Sequence, residues 1–458
     1  MKKVAFHNLG CKVNSYELEF VQQKFKENDF LIVSFDQKAD IYVINTCTVT
    51  NIADRKSRQM LHKAKGLNSD AVVVAMGCYA QTSTEKALED DSIDIVIGNA
   101  EKGKAFDIIL DFINKRHPNE KNQISDISEV SEYDEYTLTS TQEHTRVYIK
   151  IQDGCNQFCS YCAIPLARGR IRSRKIEDIV NEVSELTKRG YKEFVLTGIH
   201  LSSYGMENYN QEVNKQRVEL TDFSNNTMLI DAIESVAKIE GVERIRLGSL
   251  EPRIITNSFL ERLSSIKQIC PHFHLSLQSG SDAVLKRMNR QYNTKEFSEK
   301  AELIRQYFDH PGITTDVIAG FPGETQEEFL ETKNYLNEID FYEAHIFKYS
   351  RRRGTVADKM PLQLTEKEKS ERSEVLIKDS EKRSRLFREH YLGKTLEALL
   401  EEPVEIHGER YMVGYTREYV RVACKADESL ANTIIFGQAK RMLTDEIVEV
   451  EMAENLEK

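Results

Sequence analysis

At 458 residues the chain is too long for one ordinary core, so two to four domains are expected. Apolar residues make up 40% and charged residues 30%, a soluble balance, and the longest apolar run, Ala71 to Met76, is far too short to cross a bilayer. The net charge of −11 argues against nucleic acid as the partner, because phosphate binding needs cations.

The start, MKKVAFHNLGC, lacks the apolar stretch of a secretion signal. A cytoplasmic location with no membrane contact is therefore expected. Thiols stay reduced there, and eight cysteines suggest metal ligation or catalysis more than disulfides.

The first hundred residues repeat one pattern. An apolar run ends in a cysteine three times, in VAFHNLGC at Cys11, DIYVINTC at Cys47 and AVVVAMGC at Cys78. The gaps of 36 and 31 residues each hold one helix and a return. Leu18, Val21 and Phe25 give the first gap helical spacing. Such units build a parallel sheet with right-handed crossovers, and ligands gather at its carboxyl edge. Three cysteines far apart in sequence are thus expected to meet. The competing readings are three buried structural thiols, or a zinc site that still needs a fourth ligand. Ile93 to Asn99 reads as another strand.

Residues 115–140 are polar and acidic and read as a linker. From residue 141 to 363, strands alternate with helices: RVYIKIQ, EFVLTG, RIRLGS, HFHLSLQ, TTDVIAG and EAHIFKY. The clearest helix runs from Ile176 to Lys188 with Gly190 as its stop. Six strands with exterior helices predict a partial parallel barrel, whose active sites lie on the carboxyl rim.

On that rim, after the first strand, lies DGCNQFCSYCAIPLARGR. Cys155, Cys159 and Cys162 are spaced Cys-x3-Cys-x2-Cys. Three thiolates so close hold three corners of a cubane iron–sulfur cluster and leave the fourth iron open for a substrate or cofactor. The alternative is a zinc site completed by a distant histidine. Gly154 permits a tight loop, and Phe158 and Tyr161 are expected to shield the site. Arg168, Arg170, Arg172, Arg174 and Lys175 form a basic stretch beside it, read as capturing an anionic substrate. Two further clusters, Arg351 to Arg353 and Arg55, Lys56 and Arg58, read equally well as solvated surface.

Residues 206–227 read as a polar excursion, and residues 364–391 as a charged helical connector. Residues 392–455 hold short β segments and predict a small antiparallel barrel. Cys424 within it, and Cys270 at a helix end before Pro271, read as packed thiols. From Gly393 onward there are eight Lys or Arg against fourteen Asp or Glu, although Arg410, Arg417, Arg421, Lys440 and Arg441 are candidates to line one face.

The tripod resembles that of the radical S-adenosylmethionine superfamily. With Cys11, Cys47 and Cys78 upstream, the chain resembles its methylthiotransferases. The likeness extends over essentially the whole length, through NLGCKVNSYE, INTCTVTNIADRKSRQ, TGIHLSSYG, RIRLGSLEP, HLSLQSGSDAVLKRMNRQY and TDVIAGFPGET, and the tail resembles a TRAM domain. The pattern is most similar to the branch acting on threonylcarbamoyladenosine in tRNA.

The resemblance implies an amino-terminal methylthiotransferase domain over 1–114, a central partial (β/α)6 barrel and a TRAM-like β-barrel. It implies two 4Fe–4S clusters, one on each cysteine trio, and S-adenosylmethionine on the tripod cluster. The cofactor would yield a 5′-deoxyadenosyl radical that takes hydrogen from adenine carbon 2, and the other cluster would supply the methylthio group. Tyr161, Thr197, Gly198, Glu251, Gln278 and Ser279 are candidate cofactor contacts, and no side chain is singled out as catalytic. The implied partners are a tRNA anticodon stem-loop and an electron donor such as flavodoxin or ferredoxin. A related branch acts on a ribosomal protein aspartate, which the acidic tail would suit. A non-catalytic iron–sulfur RNA-binding protein or redox sensor is the reading from another class.

Overall fold

The protein was analysed as a computed structural model that describes residues 1–114, 121–141, 145–207 and 226–453. The polar excursion at 206–227 lies almost entirely outside the described residues.

The repeated strand–helix pattern folds into a six-stranded parallel sheet in the order β2-β1-β3-β4-β5-β6. Its strands are β1 (Lys3–Asn8), β2 (Leu31–Val33), β3 (Ile41–Thr46), β4 (Val72–Gly77), β5 (Ile95–Ile97) and β6 (Asn122–Gln123). Side chains alternate across it. Val43, Val74 and Met76 pack on one face with Tyr16 and Phe25 of α1 (Lys12–Glu27). Tyr42, Ile44, Val73 and Ala75 pack on the other with Leu61 and Ala64 of α2 (Asn51–Leu67). Burial on both faces explains why these strands read as continuous apolar runs.

The segment read as a linker is packed where it is described. Asn122 and Gln123 add the edge strand, and Tyr136 and Leu138 are buried beneath α1. Too few apolar residues carry this packing to give a period.

The six expected central strands form. They are β7 (Arg146–Asp153), β9 (Glu193–Gly198), β10 (Arg244–Leu247), β11 (His272–Gln278), β12 (Gly312–Ala319) and β13 (Glu343–Lys348), with β8 (Arg172–Ser173) antiparallel on β7. Strands β7, β9 and β10 pair in parallel, as do β11, β12 and β13, and bridges at Ile245–Ile269 and Leu250–Leu275 join the two arrays. The result is a partial parallel barrel, and its outer helices close one continuous apolar core. Cys270 lies at the foot of β11 and not at a helix end; it is buried.

The charged connector is one helix, Glu366–Glu389. The tail is a closed barrel of β14 (Thr395–Ile406), β15 (Glu409–Thr416), β16 (Arg421–Cys424), β17 (Ile434–Met442) and β18 (Val448–Met452). It is not wholly antiparallel, because β16 and β18 pair in parallel to close it. Cys424 is in its core. The tail docks on the amino ends of the central strands: Arg244 reaches Glu397 at 2.7 Å and the Tyr415 carbonyl at 3.0 Å, and Arg246 reaches the Arg417 carbonyl at 3.0 Å.

Candidate metal and cofactor site

Strand register brings the amino-terminal cysteines together. Asn8 pairs with Asn45, Asn45 with Met76, and Thr46 with Gly77. Cys47 and Cys78 are the next residues on neighbouring strands, about 5 Å apart by the usual strand spacing. Cys11 caps α1 after Gly10, whose φ of +117° turns the chain back over the sheet edge. A Cβ on Gly10 would stand 3.2 Å from the Cys47 Sγ, so that thiol abuts the Cys11 loop. Asn14 fixes this arrangement by donating to the Leu9 carbonyl at 2.7 Å and the Thr46 carbonyl at 3.1 Å. Cys78 opens α3 (Cys78–Thr82). Cys11 is reached by water, and the protein packed around it raises its thiol pKa. Burial pushes the Cys47 thiol up to about 11. Cluster binding must therefore displace protons.

The tripod forms on the carboxyl rim. Gly154 adopts φ +69°, and a Cβ there would strike the Arg170 carbonyl at 1.7 Å, so the turn into Cys155 requires glycine. Each thiol meets a donor: Gln157 N–H to Cys155 at 3.4 Å, Ile164 N–H to Cys162 at 3.4 Å, and Arg290 Nη1 to Cys159 at 3.3 Å. Donors aimed at sulfur suit thiolates on a cluster. Burial raises the Cys155 thiol and pushes Cys162 up to about 12. Among the described residues, no three His, Cys, Asp or Glu side chains stand close enough to share one ion. A cubane makes no such demand, since its thiolates bind different irons.

Both trios meet at the helix Ile164–Arg168, which is about 7.5 Å long. It starts two residues after Cys162. Near its other end Asn99 Nδ2 donates to the Ala167 carbonyl at 2.7 Å and reaches the Cys78 Sγ at 3.6 Å. Arg168 lies within electrostatic reach of Cys11, Cys47 and Cys78. A cleft of about 560 Å³ opens beside the same helix, lined by Thr82, Lys86, Ala163, Leu166 and Arg353 among others.

Three of the five cations in the basic stretch are buried against acids, while Arg170 and Lys175 stay exposed. Arg168 is buried between Glu17, at 2.8 Å, and Asp153, at 3.0 Å. Arg172 pairs with Asp153, and Arg174 with Glu135 and Glu182. Arg168 ends the helix that follows the tripod and meets Glu17 of α1, while Arg172 on β8 and Arg174 just after it stand two residues apart and turn inward together. Lys102 and Lys150 complete that network on Glu17 at 2.5 and 2.8 Å. Burial pushes the Glu17 carboxyl up, but Arg168, Lys102 and Lys150 outweigh it and hold it well below the carboxylate range. Arg352 is likewise buried on Asp54, at 2.8 Å. Phe158 does not shield the tripod. It is 39% exposed under the Arg170 guanidinium, 4.6 Å away.

The six candidate cofactor residues occupy the rim unequally. Thr197 and Gly198 end β9, and a Cβ on Gly198 would come within 2.9 Å of Gln152, which holds the tripod loop through the Gly154 carbonyl at 2.7 Å. Glu251 is buried and pairs with Arg253 at 2.6 Å; Arg253 reaches Gln157 at 3.1 Å. Gln278 ends β11 at φ +73°. Ser279 is buried with its hydroxyl on Thr332 and the Ser281 N–H, which supports the loop. Tyr161 packs edge-on to Phe321. Sequence reasoning missed Arg290, although it lies in the quoted run RMNRQY. It missed Asn99 too, whose role depends on meeting a distant helix.

The tail cations do not form one face. Arg417 turns inward onto the Ile269 carbonyl at 2.8 Å, while Lys440 and Arg441 pair with Glu451 and Glu449 on β18.

Comparisons with known proteins follow this geometry. Residues 149–336 match the Radical SAM superfamily, and residues 3–98 match an uncharacterized family, UPF0004. A threonylcarbamoyladenosine tRNA methylthiotransferase MtaB of Bacillus subtilis is 40% identical, over 98% of this chain and 99% of its own. One of Aquifex aeolicus is 38% identical, over 90% and 95%. The chain belongs to the radical S-adenosylmethionine methylthiotransferases, in the threonylcarbamoyladenosine branch. A tRNA-2-methylthio-N6-dimethylallyladenosine synthase of Pelotomaculum thermopropionicum is 31% identical, over 95% and 94%. Among solved structures, the radical S-adenosylmethionine methyltransferase TsrM of Kitasatospora setae shares the fold, with a TM-score of 0.52 at 14% identity, over 76% of this chain and 73% of its own. No described helix is long and apolar enough to cross a membrane.

Proposed function

We propose that this chain is a tRNA methylthiotransferase that converts N6-threonylcarbamoyladenosine beside the anticodon to its 2-methylthio derivative. The observation that carries the reading is the convergence of two cysteine trios on the helix Ile164–Arg168. Cys155, Cys159 and Cys162 would hold one 4Fe–4S cluster and Cys11, Cys47 and Cys78 the other. When bound, the first cluster with S-adenosylmethionine supplies radical chemistry and the second supplies sulfur, as an aromatic C–H bond without an acidic proton requires.

The chain's own residues position these groups. Arg290 holds Cys159, and Gln152 holds the tripod loop against β9. The pair Glu251 and Arg253 offers a carboxylate and a guanidinium on the rim, suited to an amino acid's ammonium and carboxylate. Asn99 sets Cys78 against the tripod helix, and the cleft beside it, with exposed Lys86 and Arg353, is where the anticodon loop would enter. The second partner is an electron donor such as flavodoxin or ferredoxin. Exposed Phe158, Val356 and Leu362, with Arg170, Lys286 and Lys359 exposed nearby, fit an acidic protein, on a chain whose net charge is −11.

Mass spectrometry of digested tRNA from a deletion strain tests the assignment. Loss of the methylthio nucleoside is expected; its retention in a strain with no second copy of the enzyme sinks the reading. Reconstituted protein should carry about eight irons, and about half of that when Cys11, Cys47 and Cys78 become alanine.

A further inference from the structure

Lys12 follows a cluster cysteine directly and has no use in the chemistry above. Its side chain is exposed to water at the head of α1. The ammonium stands 5.8 Å from the centre of the Tyr148 ring on β7. It lies within electrostatic reach of Arg146 on β7, Glu193 on β9, Arg246 on β10, His272 on β11 and Tyr419 of the tail, and Glu193 is itself committed to Arg246. Groups on several barrel strands and the tail lie around it, so the Lys12 ammonium faces the barrel across the Tyr148 ring.

The neighbouring cations on the barrel strands are matched. Arg146 pairs with Glu401 at 2.5 Å, Arg246 with Glu193 at 2.9 Å and Arg244 with Glu397 at 2.7 Å. Arg146 and Arg246 also lie over the Tyr419 ring, at 5.2 and 4.8 Å. Lys12 makes no ion pair or hydrogen bond among the described residues; its contact is the Tyr148 ring. An ammonium facing the barrel with no ion pair of its own is free to take an arriving anion.

We propose that Lys12 is the subsite for the threonyl carboxylate on the N6 arm of the target adenosine. This rests on the function proposed above and deepens it. Relatives of the same architecture carry the name dimethylallyladenosine synthase, and a dimethylallyl arm has no charge, so a carboxylate reader is the feature that separates the two substrates. Its place fits the role. Lys12 follows Cys11 directly, so the backbone atoms of the reader and of the proposed cluster ligand are about 3.8 Å apart.

The test uses reconstituted enzyme and two anticodon stem-loops, one with the threonylcarbamoyl group and one with that carboxylate replaced by a neutral alcohol. Binding is read by fluorescence anisotropy without S-adenosylmethionine, and turnover by methylthio product. Lys12→Gln should lose about 10- to 100-fold in affinity and in kcat/KM on the charged substrate, the loss of one charge-assisted bond. On the neutral substrate wild type and Lys12→Gln should be alike. Lys12→Arg should recover part of the loss. Equal losses on both substrates would make Lys12 a structural residue and overturn the proposal. So would a raised KM for S-adenosylmethionine on both substrates, which would give the subsite to the cofactor's carboxylate. A wild-type enzyme that methylthiolates neither stem-loop would instead refute the function itself.

Discussion

Glu17 is the most exposed point of the reasoning, because one carboxylate joins the amino-terminal sheet to the barrel. It accepts from Lys102 at 2.5 Å, Lys150 at 2.8 Å and Arg168 at 2.8 and 3.0 Å, all buried. Glu17→Ala leaves Lys150 and Arg168 with Asp153, at 2.7 and 3.0 Å, but leaves Lys102 with no acid among the described residues. Stranding a buried charge costs about 3–5 kcal/mol, whereas replacing a whole pair by apolar groups is close to neutral. Urea denaturation followed by circular dichroism should therefore show a loss of about 3–5 kcal/mol for Glu17→Ala. Adding Lys102→Met should restore roughly half of it or more.

The pH dependence has a definite sign. Glu17 and Asp153 are both held below the ordinary carboxylate range, so their contribution is complete above the unfolded pKa near 4. It drains away as the pH falls towards their folded values. Wild type should lose stability steeply below about pH 4, and Glu17→Ala less steeply. A single variant within about 1 kcal/mol of wild type, or a double variant no better than the single, would refute the account of this network.

Three further outcomes follow from the site. Arg290→Met removes a cation from the Cys159 sulfur, so the tripod cluster should become harder to reduce, by on the order of tens of millivolts, in a spectroelectrochemical titration; an unchanged midpoint contradicts this. Asn99→Ala cuts the tie between Cys78 and the tripod helix, and methylthio transfer should fall more than 5′-deoxyadenosine formation in the same assay, a parallel fall being the contrary result. Arg417→Ala removes one of several ties between the tail and the barrel foot at a cost of about 1–3 kcal/mol, and limited proteolysis should release residues after 392 sooner, which an unaltered digestion pattern would exclude.

Much of this molecule was legible in its residues. Apolar runs of strand length with helical spacers placed all six barrel strands and four strands of the amino-terminal sheet, because burial on two faces leaves an unmistakable pattern, whereas the short edge strands β2 and β6 left none. Both cysteine trios followed from spacing and from where a parallel sheet ends. The arginines were misread for a physical reason. A charge in sequence looks the same whether it meets water or a carboxylate 151 residues away, and Arg168 meets Glu17. The packed segment around Tyr136 gave no period, and the parallel pairing of β16 with β18 depends on closure of the whole tail barrel.

The sequence by itself determined the alphabet of the chemistry: two sets of thiols, a glycine turn and the strands that carry them. These depend on local spacing and on the chain's own stereochemistry. Tertiary structure alone decided which charges neutralise one another and which is left over. Long-range pairing buries Arg168 and Arg246 against acids while Lys12 keeps an ammonium with no ion pair over the Tyr148 ring, and electrostatic partnership is a property of distance in space, not of order along the chain.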